Sequence, residues 1–277
     1  MKRGFVALVG RPNAGKSTLL NRLVGEKLAI VSDKPQTTRT RIVGVRRFPE
    51  GEVVFIDTPG IHRPLHRLNV RMVDTAVDSL RDADVVVAVV DASEATGAGE
   101  RFLLDLVRKS PATRVLALNK IDRVEKTALL PRMAGFADAG FADIVPVSAK
   151  TGDNVERLEQ VLLGHLPEGE PQYPEDHLTD HPERFFVAEL VREQVLRQTH
   201  DELPFSTAVV VDKFEEGPLL RLYCTILVER ESQKPILIGQ AGAAIKAIGT
   251  AARHELERSS RCASTSFYVA VRGARRA

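Results

Sequence analysis

The sequence predicts an α/β domain built on a doubly wound, mostly parallel sheet, followed by a smaller α+β domain. Three observations carry this. Apolar runs near 4–10, 84–91 and 114–119 each end in a polar loop that leads into a helical pattern, the alternation of right-handed parallel crossovers. One tight turn, Pro49-Glu50-Gly51, instead joins two neighbouring strands, 42–48 and 52–57, as an antiparallel hairpin. Residues 168–181 then break all periodicity, and beyond them the order of elements changes.

The first strand, Gly4 to Gly10, runs into Arg11-Pro12-Asn13-Ala14-Gly15-Lys16-Ser17-Thr18, a complete Gly-x-x-x-x-Gly-Lys-Ser phosphate loop. Its glycines let backbone N–H groups curl around phosphate oxygens, Lys16 reaches the β- and γ-phosphates, and Ser17 offers a hydroxyl to Mg²⁺. The polar stretch Lys34-Pro35-Gln36-Thr37-Thr38-Arg39 precedes the second strand and reads as a first switch. A Thr there binds the metal only while the γ-phosphate is present, and Thr38 is favoured over Thr37.

The third strand ends in Asp57-Thr58-Pro59-Gly60, which puts a carboxylate near Mg²⁺ through water and the Gly60 amide at the γ-phosphate. The fifth ends in Asn119-Lys120-Ile121-Asp122, and a sixth, 143–147, in Ser148-Ala149-Lys150. Asp122 can accept two hydrogen bonds from guanine N1–H and its 2-amino group, which adenine does not supply. Lys120 would lie along the base and the Ala149 amide would meet O6. Together the motifs specify GTP and Mg²⁺, with Lys16, Asn13, Thr38 and Gly60 as the groups acting on the transferring phosphoryl.

Residue 61 is Ile, where many regulatory GTPases place a Gln that orients the attacking water, so intrinsic turnover is expected well below ~1 s⁻¹. Asn13 admits two readings: a ligand for K⁺ beside the phosphates, or a turn-stabilising hydrogen bond. The fourth strand, Val85 to Val90, reads as buried core. His62 and His66, four apart, read as part of a second switch and not as a zinc site.

Segment 168–181 carries five acids and no Lys or Arg, and is expected to be an acidic linker between domains 1–167 and 182–277; the three parts carry net charges of +5, −5 and +2. After it, Phe186, Val187, Leu190, Val191 and Val195 fall at helical spacing. Strands Thr207 to Phe214 and Leu220 to Val228 follow, then a helical pair expected to begin at Gly239-Gln240-Ala241-Gly242, and a last strand, Thr265 to Val271.

The phosphate loop, Gln36-Thr37-Thr38-Arg39, Asp57 to His62, Asn119 to Asp122, Ser148 to Lys150 and Ile236 to Gly242 together make the chain resemble the Era family, bacterial P-loop GTPases with a C-terminal type II KH domain. The resemblance implies RNA binding through Ile238, Gly239, Gln240, Ala241, Gly242 and Lys246, the Gly-x-x-Gly loop clamping about four unpaired nucleotides. It implies as partners the 3′ end of 16S-type rRNA and the small ribosomal subunit, with a peripheral contact at the inner face of the cell membrane as a secondary expectation. The loop lacks the usual Lys or Arg at its centre, so salt dependence should be shallow. The chain stops at Arg272-Gly273-Ala274-Arg275-Arg276-Ala277, where such proteins continue into another helix.

With 277 residues, 43% hydrophobic and 27% charged, the chain suffices for two cores. No apolar run has membrane-spanning length and no secretory signal precedes Gly10, which predicts a cytoplasmic protein. Cys224 and Cys262 are expected as buried small residues, not a disulfide. No oligomer is implied.

Overall fold

The computed structural model describes residues 1–34, 37–61, 76–199, 207–217, 220–259 and 265–273. Pro35, Gln36, His62, His66 and Cys262 lie outside them. The chain divides into two units, Met1–Asp180 and His181–Ala277.

The first unit holds a six-stranded sheet in the order β2-β3-β1-β4-β5-β6: β1 Lys2–Gly10, β2 Ile42–Phe48, β3 Gly51–Asp57, β4 Val85–Asp91, β5 Thr113–Asn119 and β6 Asp143–Pro146. Only β2 and β3 pair antiparallel, with Phe48 opposite Gly51 across the tight turn, and the other neighbours are parallel. Helices α1 Lys16–Val24, α2 Ala98–Arg108, α3 Lys126–Ala134 and α4 Val155–His165 follow β1, β4, β5 and β6. All seven residues of β4 are buried, as a strand central to a sheet covered on both faces must be. Parallel winding sets the carboxyl ends of β1, β3, β4, β5 and β6 along one edge of the sheet, where such folds bind ligands.

Residues 168–180 are tied to this first unit instead of hanging as a tether. The Glu52 side chain, wholly buried, accepts hydrogen bonds from the amides of Gln172 (2.8 Å) and Tyr173 (3.3 Å). Arg47 donates to the Tyr173 carbonyl and Thr179 Oγ1 to Val43 O at 2.6 Å, while the Val45 amide donates to Leu178 O at 2.8 Å. The segment therefore covers β2, the edge strand that follows the switch segment. Apart from Thr179 Oγ1, the segment takes part in these bonds through its backbone groups, so no side-chain periodicity announces them.

In the second unit α5 Glu183–Gln198 precedes β7 Thr207–Glu215 and β8 Leu220–Val228, then come α6 Lys234–Ile238, α7 Ala243–Ser259 and β9 Thr265–Gly273. The sheet order is β7-β8-β9, β8 antiparallel to β7 and parallel to β9. Val187, Leu190, Val191 and Val195 of α5 pack with Leu222, Cys224, Ile226 and Val228 of β8 and with Leu237, Ile248, Ala252 and Leu256 of the helical pair. Burial pushes the Cys224 thiol up to about 12, so it behaves as a small apolar residue. The helical pair begins at Lys234 and not at Gly239, because positive φ at Gly239, Ala241 and Gly242 breaks the helix between its two members. Among the described residues no single helix is long and apolar enough to cross a membrane; one bent pair, Glu231–Ile238 with Gln240–Arg258, passes by length and composition, and its Leu237, Ile248, Ala252 and Leu256 are buried in this core.

Candidate GTP site and Gly-x-x-Gly groove

The loop between β1 and α1 turns through Asn13 (φ 62°) and Gly15 (φ 94°), a left-handed geometry that aims backbone amides at the space above the α1 N-terminus. A Cβ at Gly15 would run into the Asn119 side chain. Lys16 is only 5% exposed, and its ammonium donates to Gly10 O (3.2 Å) and Arg11 O (3.0 Å). Burial lowers its pKa from 10.5 to about 8, against the opposing pull of Asp57. The Asn13 amide nitrogen donates to Asp33 O at 2.6 Å, joining the loop to the segment ahead of the switch. Arg11 pairs with Glu94 at 2.9 Å.

At the phosphate end three oxygen donors converge. Ser17 Oγ lies 2.8 Å from Thr38 Oγ1 and donates to Asp57 Oδ2 at 2.7 Å, and Thr38 Oγ1 also donates to Asp57 Oδ2 at 3.2 Å. Asp57 is fully buried, its other oxygen has no hydrogen-bond partner, and burial raises its pKa. A buried carboxylate short of a partner beside two hydroxyls is a donor set suited to a hard cation such as Mg²⁺. Thr37 instead donates to Lys34 O at 2.7 Å. Gly60 packs on Pro12, where a Cβ would come within 2.8 Å of the Pro12 nitrogen. Ile61 is completely buried, so its side chain cannot reach a nucleophilic water. Thr58 is buried too and donates to Leu8 O at 2.9 Å, a structural bond.

At the base end, Asn119 Nδ2 donates to Ala14 O (2.8 Å) and Asn119 Oδ1 accepts from the Ala149 amide (2.9 Å), joining phosphate loop and base loop. The Ala149 amide thus has a partner within the protein, not the open aim expected of it. Ser148 Oγ donates to Asp122 Oδ1 at 2.6 Å, leaving the exposed carboxylate fixed at the mouth of the cleft. Lys120, at φ 64°, sets its ammonium 2.6 Å from Asp91 Oδ2 at the end of β4. Asp91 Oδ1 is held by the amide (2.8 Å) and hydroxyl (2.6 Å) of Ser93. Hydrogen bonds from Lys120 and Ser93 outweigh its desolvation and keep the carboxyl below its ordinary range.

These groups surround a cleft of about 610 Å³. Pro12, Asn13, Gly15, Lys16, Ser17, Thr18, Thr37, Thr38, Gly60, Asn119, Lys120, Asp122, Ala149 and Lys150 reach its wall, whereas Gly10, Arg11, Ala14, Asp57, Thr58, Pro59 and Ser148 stand behind it. Of the switch segment, Arg39 does not line the cleft and Gln36 is outside the described residues. Sequence reasoning missed Asp91, Ser93 and Glu94, although the rule that ligands bind at strand carboxyl ends points at Asp91 as it does at Asp57.

It also missed Arg22. From the last turn of α1 this side chain donates to Ala149 O (3.3 Å) and Lys150 O (2.7 Å), bracing the base loop against the phosphate-binding helix. Arg22→Ala is expected to weaken GDP binding about five- to tenfold, from two lost hydrogen bonds of about 1 kcal/mol or less each, and to leave the rate of bound-GTP hydrolysis unchanged. Titration with a fluorescent GDP analogue and single-turnover assays check both halves.

In the second unit Gly239-Gln240-Ala241-Gly242 forms the turn between α6 and α7, with Gln240 and Ala241 exposed and Ala241 at φ 49°. Ile238 is 39% exposed beside it. Further along α7, Ile245, Lys246, Gly249, Thr250 and Arg253 line an open groove of about 210 Å³ with Val269 of β9. Lys246 and Arg253 supply the positive charge that the loop lacks. The side chains of Arg272, Arg275 and Arg276 are outside the described residues.

Residues 5–120 match a family of 50S ribosome-binding GTPases and residues 202–263 a KH-domain family. The chain is 51% identical over 259 residues to GTPase Era of Geotalea uraniireducens (strain Rf4), spanning 92% of this chain and 87% of that protein. It is 52% identical over 260 residues to GTPase Era of Geobacter sp. (strain M21), spanning 93% and 88%. Among solved structures it is similar to a variant of Aquifex aeolicus Era bound to GDP·AlF4⁻, with a TM-score of 0.94 and 38% identity over 99% of this chain and 94% of that one. It is equally similar to Era in complex with MgGDPNP and nucleotides 1506–1542 of 16S ribosomal RNA, with a TM-score of 0.95, 38% identity and the same coverage.

Proposed function

Because this chain belongs to the Era family of GTPases, we propose that GTP binding and hydrolysis in its first unit gate the capture of unpaired RNA by its second, in assembly of the small ribosomal subunit. The RNA is the 3′ end of 16S-type rRNA, as in the solved complex of the similar Era protein. The carrying observation is Thr38: it is 7% exposed and hydrogen-bonded to Ser17 and Asp57, so the switch segment is anchored on the groups that hold metal and phosphate. Losing the γ-phosphate removes part of that anchor.

In this reading Ser17 and Thr38 would hold Mg²⁺ directly and Asp57 through water, and the bound ion would supply charge neutralisation on the phosphates. Lys16 stabilises the charge that builds on the transferring phosphoryl, and the Gly60 amide senses its oxygens. GTP and water give GDP and phosphate, slowly without an activator, because Ile61 cannot orient water. Asn13 donates through its amide nitrogen to Asp33, so a K⁺ beside the phosphates would be held by its amide oxygen; equal turnover in K⁺ and Na⁺ would count against that role. The domains proposed are 1–167, a GTPase, and 182–277, a KH domain, joined by 168–181, of which 168–180 belongs with the first unit. A ribosomal target supports a cytoplasmic protein; a peripheral contact with the inner membrane face is a separate proposal, decided by liposome flotation.

The test is anisotropy of a labelled oligonucleotide matching the 16S-type 3′ end, titrated in a non-hydrolysable GTP analogue, in GDP and without nucleotide. Binding at least tenfold tighter with the analogue, about 1.4 kcal/mol of coupling, is expected. Equal affinities would make GTP a structural ligand of an RNA-binding module.

A further inference from the structure

The open face of the three-stranded sheet carries an aromatic pair that the groove does not use. On β8, Leu222, Cys224, Ile226 and Val228 point into the core, so Arg221 and Tyr223 point to the opposite face, since successive strand residues alternate. Tyr223 stands in register with Tyr268 of β9. Their rings are stacked, centroids 4.6 Å apart and planes 8° from parallel. Tyr268 is 49% exposed. The Lys213 ammonium, held at 2.9 Å by Glu215, lies 5.7 Å from the Tyr223 centroid, and Arg221 is exposed on the same face.

The position of β9 connects this pair to the groove. It is an edge strand of its sheet, and Val269 forms one wall of the groove beside α7. Tyr268 is the preceding residue, so it faces the other side of the same strand. A polynucleotide leaving the groove past Val269 has only the thickness of one edge strand to round before it meets the Tyr268 ring. The flanking Lys213 and Arg221 favour a polyanion over an apolar helix as occupant of this surface, and a wet aromatic face accepts any nucleobase.

We propose that Tyr268, backed by Tyr223, is a second nucleobase-stacking site, taking a base of single-stranded RNA that has passed around the β9 edge, with Lys213 and Arg221 meeting its phosphates. This rests on the RNA-binding reading of the Gly-x-x-Gly groove and extends it beyond about four nucleotides. Affinity should then depend on RNA length through the tyrosines.

The chain has no Trp and three Tyr, two of them in this pair, so tyrosine emission of the intact protein reports on the site. Four- and twelve-nucleotide single-stranded RNAs are titrated against the full chain and its Tyr268→Leu, Tyr268→Phe and Tyr223→Leu/Tyr268→Leu variants, with melting curves as a folding control. The twelve-mer should quench tyrosine emission and bind the double Leu variant about tenfold more weakly than the wild type. The four-mer should bind all variants alike, and Tyr268→Phe should keep most of the twelve-mer affinity. Unchanged twelve-mer affinity in the Leu variants, with intact four-mer binding and no quenching, overturns the stacking site alone. Failure of the wild type to bind either RNA overturns the groove reading and this site with it. Should the Leu variants not fold, the quenching and the Phe variant decide, and absence of quenching by the twelve-mer overturns the proposal.

Discussion

Replacing Lys16 by Met is expected to raise the melting temperature of the nucleotide-free protein while removing tight nucleotide binding. The two effects have one cause. The ammonium is buried and its pKa falls from 10.5 to about 8, so the folded state resists its charge. A depressed folded pKa contributes stability that is present above pH 10.5 and lost as pH falls through about 8. Below pH 8 the apoprotein therefore forgoes about 3 kcal/mol at this residue. Met fills the same space without charge but leaves the Gly10 and Arg11 carbonyls without this donor, which offsets part of the gain, and an increase of roughly 5 °C in the melting of the apoprotein near pH 7 follows.

Phosphate reverses the balance by giving the ammonium a partner in a dry site. Losing one member of such a pair costs about 3–5 kcal/mol, a drop in GDP affinity of roughly 10²- to 4 × 10³-fold. The same linkage sets a pH signature. Wild-type affinity should be level below pH 8 and then fall by up to tenfold per pH unit as Lys16 neutralises in the free protein. Binding titrations from pH 7 to 10 check this, and an equal slope in the Met variant would assign the titration to another group.

The reach of sequence reasoning follows from where each interaction is encoded. Lys16, Asp57, Asn119 and Asp122 were legible because their chemistry demands particular residue types at strand ends, and buried apolar runs such as Val85 to Val90 locate those ends without a structure. The sheet, with its single antiparallel hairpin, follows from the same pattern and from the turn at Glu50. What escaped was fixed by contacts between distant parts of the chain. Arg22 grips carbonyls 127 and 128 residues away, and Lys120 finds Asp91 across 29. Neither partner has a spacing to detect. Segment 168–181 reads as a linker because it is acidic and aperiodic, yet the carboxylate of Glu52 binds the backbone amides of Gln172 and Tyr173, which every sequence presents. Arg11 belongs to the phosphate-loop motif by position, but its guanidinium is paired with Glu94, 83 residues away.

Asp122→Asn should convert the preference of the site from GTP towards xanthosine triphosphate. Asp122 Oδ1 is held by Ser148 Oγ at 2.6 Å and the side chain is exposed at the cleft mouth, so the carboxylate is positioned before any base arrives. Guanine offers it two donors, N1–H and the 2-amino group, and charge-assisted bonds of this kind contribute about 1.5–3 kcal/mol each. An amide keeps the shape and can accept one of these bonds, but its NH₂ then opposes the 2-amino group, donor against donor. GTP affinity should fall by about 10²- to 10⁴-fold. Xanthine carries a carbonyl at the same carbon, which accepts from the new NH₂ and repels the original carboxylate. The variant should therefore bind xanthosine diphosphate better than the wild type does, and the crossing of the two preferences separates base recognition from damage to the loop. Competition of GDP and xanthosine diphosphate against a fluorescent analogue measures both; equal losses for the two nucleotides, with a lower melting temperature, would show that Ser148 had lost its partner and the loop its shape.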